Sequence, residues 1–304
     1  MSMELTPARP EFTPSSTRFN WLNASVLIST PIAAIVLTTW YVRSEGFVWT
    51  DLVPFVAMYF GTGLAITAGY HRYYAHRTYA CHPVVQALML IFGAAALQNS
   101  ALVWVSDHRT HHRHVDQAAD PYNIRRGFLW AHIGWIFFED VPGTPKIANV
   151  RDLERSRLVR LQARLYVPLA VGVGLGVPFL IGLAFDRPWG GLLWGGLVRT
   201  VLVHHCTFLI NSAAHFFGER PYSTDVSARD NRWLALLSYG EGYHNFHHAF
   251  PSDYRNGVAW YHWDPTKWTI RSLALVRLAW GLRRTPAATI AERRQRVSEQ
   301  QLAA

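Results

Sequence analysis

Two cysteines, Cys81 and Cys206, are all the chain has. They form no CxxC pair, which excludes a disulfide framework and a thiolate-bound metal or iron–sulfur site. Lysine is equally scarce, with only Lys146 and Lys267, so the net charge of +9 rests on arginine. No GxGxxG fingerprint and no haem-attachment motif is present, so no dinucleotide site or haem is expected. The first twenty residues carry Glu4, Glu11 and three prolines and no apolar run. That is no secretory signal, and the first hydrophobic run is expected to stay as an anchor.

Apolar residues are abundant and bunched: half the 304 residues are hydrophobic, yet mean hydropathy is only +0.04. A membrane-crossing helix needs about 20 mostly apolar residues. Residues 22–42 and 52–70 qualify, as do 165–185 and 190–213, so two transmembrane hairpins are predicted. A basic excess can serve nucleic acid or an anionic membrane surface, and four spans decide for the membrane. Arginine is dense in 72–77, 109–126, 151–164 and 271–296 but sparse in the hairpin loops. The positive-inside rule then places both termini in the cytoplasm, with an inner membrane as the location in a bacterium. Residues 84–105 are also apolar, but a crossing there would part the histidines on its two sides. They are read as one non-spanning helix, with Gln98, Asn99 and Ser100 on a wetter side. Domain bounds follow: a cytosolic tail at 1–20, a membrane domain at 21–284 and a polar basic tail at 285–304.

Fifteen histidines stand out, and many are clustered. His71 and His76 form HxxxxH, while His108, His111 and His112 form HxxHH. His215 follows the fourth span, and His244, His247 and His248 repeat HxxHH. Residues i, i+3 and i+4 share one helix face, so each HxxHH is a one-sided set of imidazoles. Asn211 and His215 are likewise i and i+4. The HxxxxH pair is weaker, since five residues leave rings about 140° apart around an α-helix. One such motif alone is often just a solvated helix face. His82, His114, His132 and His262 read as ordinary turn or interface residues, and His204 and His205 as hydrogen-bonding groups within the bundle. Four clusters at one membrane boundary are a different matter. Neutral imidazole is the commonest ligand for redox and Lewis-acid metals, and nine exceed what one ion can hold. Two metals are expected.

"GYHRYYAHRTY", "DHRTHHRHVDQAADPYN", "NSAAHFFGERPY" and "GEGYHNFHH" resemble, in order and spacing, the membrane fatty acyl desaturases of the stearoyl-CoA type. The resemblance covers residues 20 to 284. It implies an all-α fold, a four-helix membrane stem under a cytosolic helical cap. It implies two iron ions held by His71, His76, His108, His111, His112, His215, His244, His247 and His248, with Asn211 reaching one iron through water. The implied reaction inserts a cis double bond, of delta-9 type, into a saturated long acyl chain with O2 and two electrons. The electrons would come from a ferredoxin, a rubredoxin-like protein, or cytochrome b5 with its reductase. Asp107, Asp116, Asp120, Glu219 and Glu241 are candidates to orient the rings. The apolar residues near the tops of the second and fourth spans are expected to line the acyl tunnel. Ser106, Glu139 and Asp140 replace basic residues that meet CoA phosphates in the family, so an acyl chain on a membrane lipid or on a carrier protein competes with acyl-CoA; Arg72, Arg109, Arg113, Arg125 and Arg126 could supply a different basic patch. A membrane di-iron hydroxylase or ketolase shares such histidine boxes and is the alternative, and a non-catalytic metal-binding or transport protein is a third reading.

Overall fold

The computed structural model describes residues 17–140 and 147–303, and of Thr17, Glu139 and Asp140 the backbone alone. The 1–20 tail therefore lies almost wholly outside the described residues. Among them, helix dominates and strands are two or three residues long. A 3-residue strand, β1 (Thr17–Phe19), pairs with Phe138–Asp140 and leads into the stem.

Four helices are long and apolar enough to cross a membrane. These are α1 (Trp21–Glu45), α2 (Trp49–Ala75) and, later in the chain, Tyr166–Leu183 and Pro188–His215. Asn20 caps α1 by accepting from Asn23 N–H at 2.9 Å, and Gly46, at φ +70°, ends it. Only 11% of the most apolar window of α1 and 22% of that of Tyr166–Leu183 is buried, against 50% for α2 and 44% for Pro188–His215. The first and third spans thus face outward with lipid-like surfaces, and the second and fourth form the middle. The middle pair is also longer. At 1.5 Å per residue, 27 and 28 residues reach about 40 Å, beyond the roughly 30 Å hydrocarbon thickness. The excess carries His71 and His215 out of the stem.

Both hairpin turns lie at the opposite end and are tied together. Arg187 donates to both Asp51 carboxylate oxygens at 3.0 and 3.2 Å and to the carbonyls of Glu45 and Gly46.

Residues 84–105 are not one helix. They divide into α3 (Pro83–Ala95) and α4 (Ala101–His114). At 13 residues, α3 is about 20 Å long, too short to span. It stops where Leu97 and Asn99 take left-handed backbones, at φ 56° and 74°. Two groups from the fourth span satisfy its last carbonyls: Arg199 donates to Ala95 O at 2.9 Å and His204 to Ala96 O at 2.9 Å. Gln98 is not on a wetter side, as it donates to Thr207 of the fourth span at 2.9 Å. Asn99 is exposed, and its backbone N–H donates to Tyr166 Oη at 3.0 Å, so the break is held from two other helices.

Helix α4 returns toward the histidines. Buried Ile66, Tyr70 and Leu90 pack against Leu102, Val105, Val150 and Val159, joining α2, α3 and α4 to the segment before the third span. The other helices of five residues or more are α5 (Phe128–His132), α6 (Arg157–Arg164), α7 (Tyr166–Leu183), α8 (Pro188–His215), α9 (Arg232–Leu237), α10 (His244–Ala249), α11 (Pro265–Leu275) and α12 (Ala287–Leu302). The expected polar tail at 285–304 is largely α12. It buries Ile290 and Val297, two turns apart, Ile290 against Tyr222 and Phe246 of the cap.

Candidate metal centre

HxxxxH, the weakest of the four histidine motifs on α-helical geometry, is rescued by a change of helix type. Ala65–Ala75 is π-helical, and His76 N–H donates to His71 O at 3.1 Å, an i→i+5 bond. A π turn of about 4.4 residues leaves positions i and i+5 only about 50° apart. His71 and His76 therefore face the same point.

All nine histidines gather at the stem's end, in two groups. His71, His76, His108, His112 and His247 place their ligand nitrogens within 4.8 Å of one another, and so do His111, His215, His244 and His248. Each HxxHH divides between them. An i, i+4 pair goes to one group (His108 and His112, or His244 and His248) and the third ring to the other. Nε2 separations in the first group are 2.7 Å for His76–His108, 3.0 Å for His71–His247 and 2.9 Å for His112–His247. In the second they are 3.1 Å for His215–His244, 3.1 Å for His244–His248 and 3.3 Å for His111–His248. Metal–nitrogen bonds of about 2.1 Å set neighbouring donors about 3.0–3.4 Å apart.

The second nitrogen of three rings shows why a cation fits. His71 Nδ1 lies 2.8 Å from Glu241 and His111 Nδ1 2.9 Å from Asp120. A carboxylate only accepts, so both Nδ1 atoms carry the proton. His215 Nδ1 meets Ser227 Oγ at 2.7 Å. The Ser227 hydroxyl is committed to donating to Asp116, so His215 Nδ1 donates as well. All three rings thus aim bare Nε2 lone pairs at other imidazole nitrogens. Burial, then the neighbouring rings, holds His108, His112, His247 and His248 well below the ordinary histidine pKa and His244 at about 3. Neutral imidazoles with converging lone pairs are a donor set that a metal ion completes.

Buried partners hold the orienting carboxylates. Burial alone would raise the Glu241 carboxyl, but His71 and Arg72 beside it hold it at about 2. Arg72, 1% exposed, donates to Glu241 at 2.9 and 3.2 Å and to Asp264 at 3.0 and 3.2 Å. Asp264 also accepts from the Lys267 backbone N–H at 2.8 Å. Asp116 (φ 62°) turns the chain so that Asp120 can accept from the Asp116 N–H at 3.1 Å. Of the other two carboxylates considered, Glu219 pairs with Asp230 through the backbone, and Asp107 is half-buried on α4. Ser106 faces inward, 0% exposed, and its hydroxyl accepts from Ala148 N–H at 2.7 Å. It cannot report on charge at an outer mouth.

The sequence reading placed Arg109 only in a basic patch for phosphates and missed what it holds. Its guanidinium donates to the carbonyls of Tyr74 and Ala75 at the end of α2, to Asn149 O, and to both oxygens of Asp152 at 2.8 and 3.0 Å. This clips the HxxHH helix to the HxxxxH helix. Its place inside "DHRTHH" was the only signal, and it is one shared by every polar neighbour.

An apolar cavity runs from His71, His108, His111 and His244 into the stem, lined by Gly63, Ile66, Trp104, Ile210, Asn211 and Tyr239 among others. Asn211 thus shares the cavity with both histidine groups. Trp104 stacks on His108, with centroids 5.0 Å apart.

The fatty acid desaturase family model matches residues 47–280. Acyl-CoA desaturase 1 of Saccharomyces cerevisiae is 39% identical over 269 residues, 87% of this chain and 52% of its own length. The sn-1 stearoyl-lipid 9-desaturase of Anabaena variabilis is 31% identical over 268 residues, 88% of this chain and 95% of its own. The stearoyl-CoA desaturase of Homo sapiens is 35% identical over 252 residues, covering 80% and 69%. The chain spans about half the length of the yeast relatives it matches. It is a four-span helical protein with histidine clusters able to hold metal. It belongs to the fatty acid desaturase family.

Proposed function

We propose that the protein is a membrane fatty acyl desaturase that inserts a cis double bond near the middle of a saturated long acyl chain. The observation that supports it is the union of two imidazole groups with an apolar cavity. The groups would hold two irons, the first on His71, His76, His108, His112 and His247 and the second on His111, His215, His244 and His248. Asn211 would reach the second through water. When bound, the irons supply the power to reduce O2 with two electrons and remove two hydrogens from unactivated methylenes, the oxygen leaving as two waters.

The chain's own residues do the rest. Ile66, Ile210 and Trp104 exclude water and align the acyl chain along the cavity, while Glu241, Asp120, and Asp116 through Ser227, hold the proton on Nδ1 of His71, His111 and His215. Preorganised groups in a dry site need no rearrangement at the moment of reaction. The two electrons would come from a redox donor such as a ferredoxin, a rubredoxin-like protein or cytochrome b5 with its reductase. The arginine placement supports a cytoplasmic histidine end and cytoplasmic termini.

The acyl carrier is CoA or a membrane lipid, as the relatives' names include both. The test is expression in a host lacking its own desaturase, with lipid profiling by mass spectrometry. A mid-chain monounsaturated product supports the reading. A hydroxylated or oxo product would instead establish the hydroxylase or ketolase reading. Purified enzyme given stearoyl-CoA or stearoyl-phospholipid in parallel decides the carrier.

A further inference from the structure

Of the nine gathered histidines six are buried, and three, His76, His112 and His248, are partly exposed. These three also differ chemically. Each turns Nε2 inward to another imidazole. Among the described residues none of them has a carboxylate or hydroxyl on Nδ1, unlike His71, His111 and His215. Two of the three belong to different groups yet meet. His112 of the first group and His248 of the second are stacked, with centroids 4.3 Å apart and planes 12° from parallel. His76 stands edge-on to His112 at 4.6 Å. The surface thus exposes one short seam of rings from which both groups can be reached.

The seam has a basic rim. Arg77 follows His76, Arg113 follows His112, and both arginines are exposed. Arg109, one turn before Arg113 on α4, holds Asp152. Arg77 pairs with the same carboxylate, so that acid is neutralised. The segment beside it adds exposed Arg151, Arg155 and Arg157 against Glu154. On the other flank Ala249 and Phe250, which follow His248, are partly exposed and apolar.

We propose that the His112–His248 stack is the port at which electrons enter, and that the arginine rim seats a small one-electron carrier protein whose redox group lies at an edge ringed by carboxylates. This rests on reading the two groups as the irons of a desaturase. Each turnover needs two electrons, so two carriers are oxidised by one electron each and the two ferric ions become ferrous. No bond between carrier and chain forms or breaks. Electron transfer falls steeply with distance, so the carrier must come up to an exposed ligand edge; a buried ring would hold it off by a layer of protein. A stack that joins one ligand of each group lets a single docking position serve both. Encounters of this kind bury little surface and are steered by charge.

The scarcity of lysine makes the site testable. Lys146 and Lys267 are the only two, so Arg113→Lys keeps the charge and adds an amine that a carbodiimide can join to a carrier's carboxylates. Reduced ferredoxin, rubredoxin and cytochrome b5 are each mixed with the iron-loaded full chain in its ferric state, without acyl substrate. The carrier that wild type reoxidises is then used throughout. Arg113→Lys should cross-link to it beyond the wild-type background. Arg296→Lys should not, because α12 packs on Phe246, two residues and about 200° round α10 from His248. Arg113→Glu should slow carrier reoxidation about tenfold or more at low salt, with the gap closing at high salt. Its iron content, and its reduction by the neutral radical of photoreduced deazariboflavin, should stay at wild-type values. Arg296→Glu should change none of these. If Arg113→Glu loses iron, Arg113→Gln is read in the same way, with a smaller slowing. Reoxidation at the wild-type rate in the iron-retaining variant overturns the proposal, as does cross-linking at Arg296→Lys and not at Arg113→Lys. So does a wild type that reoxidises no carrier yet desaturates when reduced chemically. If chemically reduced wild type makes no double bond, the desaturase reading itself has failed.

Discussion

Replacing Glu241 by Gln alters one atom and should unbalance the two metal groups unequally. Four donors now meet the carboxylate. Oε2 accepts from His71 Nδ1 and from Asn256 Nδ2, both at 2.8 Å, and Oε1 accepts from Arg72 Nε and Nη2. A glutamine has one oxygen. If that oxygen serves Arg72, the amide N–H groups face His71 Nδ1, and the ring must move its proton to Nε2. The first group then loses one of its five lone pairs, while the four-histidine group keeps all of its own. Loss of such an orienting partner costs about 10- to 100-fold in metal affinity, or about 1.4–2.7 kcal/mol. Removing the negative charge beside Arg72, which keeps Asp264 and the amide oxygen, lowers fold stability too. The assay is chelator competition on purified protein, read as metal per chain. Glu241→Gln should pass through a one-metal plateau at a chelator concentration where wild type holds two. Asp120→Asn is the mirror image, since it disturbs His111 of the other group. Simultaneous loss of both metals in Glu241→Gln, at the wild-type chelator concentration, would refute this account of His71.

Removing a ligand acts more simply: His111→Ala and His247→Ala should each lower iron content and abolish desaturation, while circular dichroism shows the helical stem intact. Arg109→Met removes the clip between α4 and the end of α2, and should lower activity at least tenfold and the melting temperature by several degrees, because three backbone carbonyls and Asp152 lose their donor. Asp152 is held at about 2 by Arg109 and Arg77 even though burial would raise it. Its folded pKa is depressed, so its stabilisation is full above the unfolded value near 3.8 and fades as pH falls from about 4 to about 2. Asp152→Asn should remove that part of the acid sensitivity in a melting-temperature series. For topology, both native cysteines are buried, so Gly46→Cys should react with an impermeant thiol reagent from outside intact cells and a cysteine at Gln117 should not.

Much of the architecture is legible along the chain. Four runs of some twenty apolar residues must be helices in a bilayer, because only a helix satisfies every backbone group internally. Histidine identity and position are equally plain, and the HxxHH spacing shows that each trio lies on one side. What the sequence could not express was which imidazole meets which. His108 and His112 join His247, whereas His111 joins His244 and His248, a partition that depends on how α4 and α10 cross. His71 and His76 looked mismatched because α-helical spacing was assumed, and the π stretch of α2 corrects them. Residues 84–105 read as one helix because hydropathy is a local sum; the break after Ala95 exists because Arg199, His204 and Thr207 on another span supply partners. Helix α12 was taken as a tail because Ile290 and Val297 are sparse among charges, and burial of those two, with Arg293 donating to Tyr222 O at 2.8 Å, holds it down. Composition and pattern along one chain thus determined the membrane helices and the inventory of clustered histidines. Lone-pair directions, the clip at Arg109 and the ring of Tyr239 in the cavity were decided only in the tertiary structure, because each depends on angles between elements distant in sequence.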